Sequence, residues 1–64
     1  MKLREFRINN GYMIQQMAEV LGISKSHYEK IESGRRKPSH DVMKRAIDEF
    51  DVFYDKSEIL PLFF

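Results

Sequence analysis

Side chains that can donate hydrogen bonds are concentrated in one short segment that begins at Ser24. Lys25, Ser26 and His27 follow directly, and Lys30 comes about one helical turn later. An ammonium group can donate to O6 or N7 of guanine, and a serine hydroxyl or an imidazole can serve more than one base. The chemistry this segment offers is therefore hydrogen bonding to base edges, with no covalent step.

A sharp turn between two helices is predicted immediately before this segment. Gly22 can adopt the positive φ that such a turn requires, and Ser24 is a favoured N-cap residue. Ile23 and Tyr28 are five residues apart, which is the spacing of a hydrophobic staple. These residues predict a helix-turn-helix, the commonest way for a small domain to place a helix in the major groove of DNA.

Four helices are predicted around this turn from apolar spacing and from start and stop residues. Their expected bounds are about Lys2 to Asn9, about Ile14 to Leu21, about Lys25 to Ser33, and from the Ser39 cap to about Phe50. The first helix is expected to bury Leu3, Phe6 and the stem of Arg7. The inward stripe of the fourth is expected to be Met43, Ala46, Ile47 and Phe50.

The apolar residues after Asp51 leave two alternatives open. Pro61 limits any helix that starts at Ser57 to about one turn. The tail either folds over the first and fourth helices as core, which fits Ile59 and Leu60, or forms an exposed apolar patch that a second copy covers. That possible dimer surface consists of Leu60, Leu62, Phe63 and Phe64.

Length and composition favour a small intracellular protein. The 64 residues suit one domain over 1–64, near the lower size limit for a self-supporting core, and hence a compact helical bundle. The sequence has no cysteine, which excludes disulfides and thiolate metal sites. His27 and His40 lie on different elements, so no metal site is expected. No apolar run approaches the roughly 20 residues that cross a bilayer, and we expect a soluble, cytoplasmic protein.

Charge is segregated along the chain although the net charge is only +1. Residues 25–40 contain five basic and two acidic side chains, whereas residues 41–64 contain three basic and six acidic ones. A basic centre with an acidic far side suits a surface that faces a duplex. The acids Asp48, Glu49 and Asp51 crowd one helix end instead of converging in a cleft, so no enzyme is predicted.

The chain resembles the phage Cro and repressor-like, or Xre-type, helix-turn-helix regulators over nearly its whole length. The residues that carry the resemblance are Leu3-Arg4-Glu5-Phe6-Arg7 with Gly11, Met17-Ala18, Leu21-Gly22-Ile23-Ser24, Tyr28, Lys30-Ile31-Glu32-Ser33-Gly34 and Lys37-Pro38-Ser39. The resemblance implies an all-α bundle of four or five helices of the lambda-repressor-like type. It also implies a homodimer that binds double-stranded operator DNA to control transcription, without a cofactor, a small-molecule ligand or a membrane.

The resemblance also implies roles for individual residues. The residues expected to face the bases are Ser24, Lys25, Ser26, His27 and Lys30. The backbone and side chains from Ser33 to Lys37 are expected to hold phosphates, with Ser33, Arg35, Arg36 and Lys37 as the contacting residues. Arg7 and Glu32 match a pair that forms an internal salt bridge, so we interpret both as structural residues.

The start of the second helix departs from the family pattern. Met13 and Ile14 stand where the family commonly has a capping Ser or Thr followed by a phosphate-binding glutamine. Gln15 or Gln16 is the expected substitute for that phosphate contact. The leading prediction is a sequence-specific DNA-binding transcriptional regulator, a repressor. The alternative is an antitoxin-like or other protein-interaction module in which DNA binding is secondary.

Overall fold

The computed structural model describes residues 2–64, which form five α-helices and a final 3₁₀ turn, with no strand in that range. The helices are α1 Lys2–Asn9, α2 Ile14–Leu21, α3 Lys25–Glu32, α4 His40–Phe50 and α5 Lys56–Ile59, and the 3₁₀ turn is Leu60–Phe63. The predicted all-α class is confirmed. The third helix ends one residue earlier than predicted because Ser33 is its C-cap.

The core is built from one face of each helix around the fully buried ring of Tyr28. Ala18 of α2 is also fully buried, which lets α3 cross close to α2 at the turn. The remaining core residues are Leu3, Phe6, Met17, Leu21, Ile31, Val42, Ala46, Phe50 and Ile59.

The predicted inward stripe of α4 is partly wrong. Val42 is buried together with Ala46 and Phe50, whereas Met43 and Ile47 are only half-buried. Val42, Ala46 and Phe50 are spaced by four residues and share one helix face, and the adjacent Met43 and Ile47 lie along its edge. The Ser39 cap is as predicted, since its hydroxyl accepts from the Val42 N–H at 3.2 Å.

The tail contributes to the core through its first turn. Ile59 is fully buried, and Glu58 Oε1 accepts from the Asp55 N–H at 3.0 Å to stabilise the start of α5. Of the four residues named as a possible dimer surface, Leu60, Leu62 and Phe63 are half-buried, while Phe64 is 84% exposed. The core alternative therefore holds for Ile59, and Leu62 and Phe63 also pack against the core, whereas Leu60 is half-buried and Phe64 faces solvent.

The turn between α2 and α3 depends on Gly22, which has a φ of +71°. A substitution Gly22→Ala is expected to lower the free energy of unfolding by about 1 to 2 kcal/mol, because a Cβ strains the left-handed backbone. The new Cβ would also lie 2.9 Å from Cζ of the exposed Arg45 side chain, which can rotate away. Thermal unfolding followed by circular dichroism measures the loss. Gly11→Ala separates the two effects: Gly11 has a φ of +75° with no other atom within 4 Å of an added Cβ, so this variant should show the backbone loss without the contact to Arg45. Melting of the Gly22 variant at the wild-type temperature would contradict the left-handed turn.

Candidate nucleic-acid interface

Helix α3 is amphipathic, and its two faces have separate roles. Tyr28 and Ile31 are buried, and this orients the opposite face toward solvent. Lys25, Ser26 and Lys30 are exposed there, whereas His27 is half-buried. Within residues 2–64 the only ion pair is elsewhere, so both lysine ammonium groups can donate to a ligand. The structure therefore exposes three of the five predicted base-contacting side chains on the outward side of α3, with His27 at the edge of that side.

Ser24, the fifth predicted base-contacting residue, is the N-cap of α3. Its Oγ accepts from the His27 N–H at 3.1 Å and caps α3. The hydroxyl hydrogen and a second lone pair are still available, so Ser24 can both donate to a ligand and accept from one.

Lys25 occupies the first position of α3, and the first turn of this helix contains no acidic residue. The positive end of the helix dipole favours an anion at that position, and a cation there costs about 0.3 to 1 kcal/mol. Lys25 is therefore poorly placed for stability and well placed to meet an anionic partner.

A buried network fixes α3 to α1. Arg7 Nε donates to Glu32 Oε2 at 2.9 Å, Arg7 Nη2 donates to Oε1 at 3.3 Å, and Arg7 Nη1 donates to the Tyr12 carbonyl at 3.0 Å. The Tyr28 hydroxyl also donates to Glu32 Oε2. The two charged side chains are only 11% and 12% exposed. Arg7 and Glu32 thus lie where the sequence predicted, and their mutual hydrogen bonds leave neither free to bind a ligand.

The network shifts the pKa of both acidic groups. Burial opposes ionisation of Glu32, but the hydrogen bonds from Arg7 and Tyr28 outweigh it and hold the pKa of Glu32 below its ordinary value. Burial, followed by the hydrogen bond to Glu32, raises the pKa of Tyr28 above its ordinary value of 10.0. The hydrogen bond to Glu32 likewise raises the pKa of Arg7.

These shifts predict a loss of stability at both ends of the pH range. Because its pKa is lowered, the Glu32 carboxylate stabilises the fold at pH values above the ordinary pKa of 4.5. This stabilisation is lost as the pH falls through the pKa of Glu32 in the folded protein. Because its pKa is raised, the protonated Tyr28 hydroxyl stabilises the fold below pH 10.0. This stabilisation is lost as the pH rises above that value. Urea unfolding at a series of pH values measures both limbs. Glu29→Gln, at an exposed position of the same helix, should keep the acid limb of the wild type, whereas Glu32→Gln should flatten it. Equal acid limbs in all three proteins would contradict the assignment.

The loop after α3 carries the exposed side chains of Arg35, Arg36 and Lys37. Most of its backbone amides already donate inside the chain, so they are less available to bind a phosphate than the sequence predicted. The Ser33 N–H donates to the Glu29 carbonyl at 3.0 Å, the Gly34 N–H donates to the Ile31 carbonyl at 3.1 Å, and the amides of Arg35 and Arg36 both donate to the Lys30 carbonyl. The Ser33 hydroxyl also donates to that carbonyl, at 3.2 Å. These amides close the end of α3, which leaves the side chains of the loop for phosphate contact. The expected phosphate contacts from Ser33 to Lys37 stay a prediction.

The start of α2 keeps half of a capping box. Met13 makes no capping bond with its side chain, but Gln16 Oε1 accepts from the Met13 N–H at 2.8 Å. This bond fixes Gln16 at the helix start and leaves its Nε2 group available as a donor. Gln15 Nε2 instead donates to Glu19 Oε1 at 3.2 Å, along the helix. Of the two predicted substitutes, Gln16 is the better placed for a phosphate.

One basic residue near this surface was missed by sequence reasoning. Arg4 of α1 lies at a cleft beside α3 together with Ile14, Ser33 and Arg35. Its position in a charged helix gave no local signal, because the cleft joins segments that are far apart in the chain.

Two other kinds of site are absent from the part of the chain that the structure describes. No helix there combines the length and apolar character needed to cross a membrane. Nor do residues 2–64 bring together three His, Cys, Asp or Glu side chains that could hold a metal ion.

Helices α2 and α3, joined by the tight turn at Gly22 and Ile23, define a helix-turn-helix fold. The chain belongs to the helix-turn-helix domain family, whose model matches residues 1–59. It is 38% identical over 55 residues to the HTH-type transcriptional regulator AnsR of Bacillus subtilis (strain 168), a match that covers 86% of this chain and 47% of that protein. The chain thus spans about half the length of this curated relative. No solved structure matches the chain. The predicted membership of the Xre-type helix-turn-helix regulators is confirmed at the level of the family.

Proposed function

We propose that this protein is a sequence-specific, double-stranded-DNA-binding regulator of transcription, a cytoplasmic repressor that reads the major groove with α3. The observation that carries the proposal is the outward face of α3, where Lys25, Ser26 and Lys30 are exposed while Tyr28 and Ile31 hold the helix from behind. Family membership and the relative described as a transcriptional regulator support it. The protein acts by binding and not as an enzyme.

The proposed contacts fall into two groups. Base edges are contacted by Ser24, Lys25, Ser26, His27 and Lys30, which lie on or at the start of α3. Phosphates are contacted by Gln15, Gln16, Arg35, Arg36 and Lys37, which lie at the start of α2 and in the loop after α3. Ser33 joins them when its hydroxyl turns from the Lys30 carbonyl to the phosphate. Phosphate contacts set the position of a protein on the duplex, and base contacts supply its sequence preference.

We also propose that the protein binds as a homodimer. An apolar groove runs between α4 and the chain end, lined by Met43, Ile47, Leu60 and the exposed Phe64. A second copy that covers this groove would bury Phe64 and present two copies of α3 to one duplex. Dimers of this class space their recognition helices by about one DNA turn, ~34 Å.

The test is selection of duplexes from a random DNA pool by the purified protein at about 0.15 M salt, where nonspecific phosphate binding is weakened. Enrichment of an inverted repeat with half-sites about one turn apart supports both the regulator and the dimer. A single unrepeated site supports the regulator and contradicts the dimer. No enrichment overturns the proposal.

A second candidate function is a protein-interaction module of the antitoxin type. The observation that favours it is the apolar start of α2, where Met13 is 68% exposed and Ile14 is half-buried in place of polar residues. If it is correct, alanine at Lys25 and Lys30 leaves partner binding intact and removes only a weak affinity for DNA.

A further inference from the structure

A polar cleft opens beside α3, between α1, the start of α2 and the loop after α3. Its rim carries Arg4, Ile14, Glu29, Ser33 and Arg35. The paired side chains of Arg7 and Glu32 also line it. Because Glu29 and Ser33 belong to α3 and its C-cap, the cleft adjoins the helix proposed to enter the major groove.

The charge available in this cleft is positive. Arg7 and Glu32 neutralise each other through hydrogen bonds and are almost buried. The groups that remain accessible are the two guanidinium groups of Arg4 and Arg35 and the single carboxylate of Glu29. Arg4 faces the cleft closely enough for its charge to help hold the pKa of Glu32 low. An anion in the cleft would therefore meet two cations from different elements.

At the first position of α2, the Ile14 side chain cannot bind a phosphate, so a phosphate beside this helix start needs other donors, such as Arg4 and Arg35. Ile14 lines the cleft and has no side chain that can donate to a phosphate. Arg4 approaches from α1, a neighbouring element, and a guanidinium group can bind phosphate with two parallel hydrogen bonds.

We propose that Arg4, together with Arg35, holds one backbone phosphate of the bound DNA in this cleft. Arg4 thereby supplies the anchor that the side chain at Ile14 cannot. The site rests on the proposed function, since the phosphate belongs to the duplex that α3 reads. Glu29 stands at the rim and weakens the same contact by repulsion.

The experiment measures the affinity of the full chain for its selected duplex as a function of salt. Each neutralised phosphate changes the slope of log K against log salt by about 0.9. Removing both Arg4 and Arg35 should therefore reduce the slope by about 0.9 for each bound protomer, and Arg4→Ala alone should give part of that reduction. Arg4→Lys keeps the charge and should keep the slope. Lys2→Ala is the matched control, because Lys2 is an exposed cation of the same helix that lines a different cleft.

Two further variants test the pairing. If Arg4 and Arg35 share one phosphate, the double alanine variant should lose less affinity than the two single losses combined. Glu29→Gln should bind more tightly than the wild type, a gain that misfolding cannot produce. An unchanged slope in Arg4→Ala, with sequence-selective binding intact, overturns the cleft and leaves the proposed function standing. If the wild type selects no duplex at all, the proposed function itself fails, and this site fails with it.

Discussion

Replacing Arg7 with methionine is expected to lower the free energy of unfolding by about 3 to 5 kcal/mol. The change leaves the Glu32 carboxylate almost buried, with only Tyr28 still donating to it, and removes the donor to the Tyr12 carbonyl. Stability of about 0.05 to 0.15 kcal/mol per residue is usual, which gives roughly 3 to 10 kcal/mol for a 64-residue chain, so a loss of this size removes about a third of that stability or more. Urea unfolding followed by circular dichroism gives the value.

Two further variants show whether the loss of stability comes from the unpaired Glu32 carboxylate or from general damage to α1. Arg4→Met changes an exposed arginine of the same helix and should alter stability by no more than about 0.5 kcal/mol. Arg7→Met combined with Glu32→Met removes both charges and should recover part of the loss. The recovery stays incomplete because the Tyr28 hydroxyl and the Tyr12 carbonyl lose their partners. A single Arg7 variant as stable as the Arg4 variant would mean that Glu32 is solvated without its partner.

Alanine at both Lys25 and Lys30 is expected to abolish preference for the selected duplex and leave a residual, salt-sensitive affinity for any duplex. A good base contact discriminates by about 1 to 3 kcal/mol, so the two losses together correspond to roughly thirtyfold to twenty-thousandfold in affinity per protomer. The fold should persist, because both lysines are exposed and Lys25 opposes the helix dipole. Titration of labelled selected and scrambled duplexes measures the two affinities.

The control for the loss of positive charge alone is Lys2→Ala, which removes one lysine charge from an exposed position outside α3. It should weaken both duplexes only slightly and keep the ratio between them. If the double variant of α3 still distinguishes the two duplexes as the wild type does, then α3 is not the reading element.

Most of the fold could be predicted because its signals are local. Ser24 and Ser39 are caps whose hydroxyls accept from amides three residues later, and Gly22 takes the left-handed conformation that its position suggests. Such hydrogen bonds and backbone angles depend on a few neighbouring residues. The bounds of α1 and α2 were therefore correct to the residue.

The errors lie where tertiary packing decides. Val42 and Met43 are adjacent apolar residues, and which of them is buried depends on how α4 is rotated against α2. Local sequence patterns also did not predict the hydrogen bond from Tyr28 to Glu32, or that Arg4 lines the same cleft as Arg35. The use of the loop amides could not be foreseen either, because it depends on how the chain closes the end of α3.

Helix α3 divides its residues between holding the fold and facing outward. Tyr28, Ile31 and Glu32 fix it to the rest of the chain, whereas Lys25 and Lys30 contribute nothing to the core. Substitutions at the outward positions can therefore accumulate at little cost in stability. The binding preference of such a protein can therefore change through successive single substitutions, each of which leaves the fold stable.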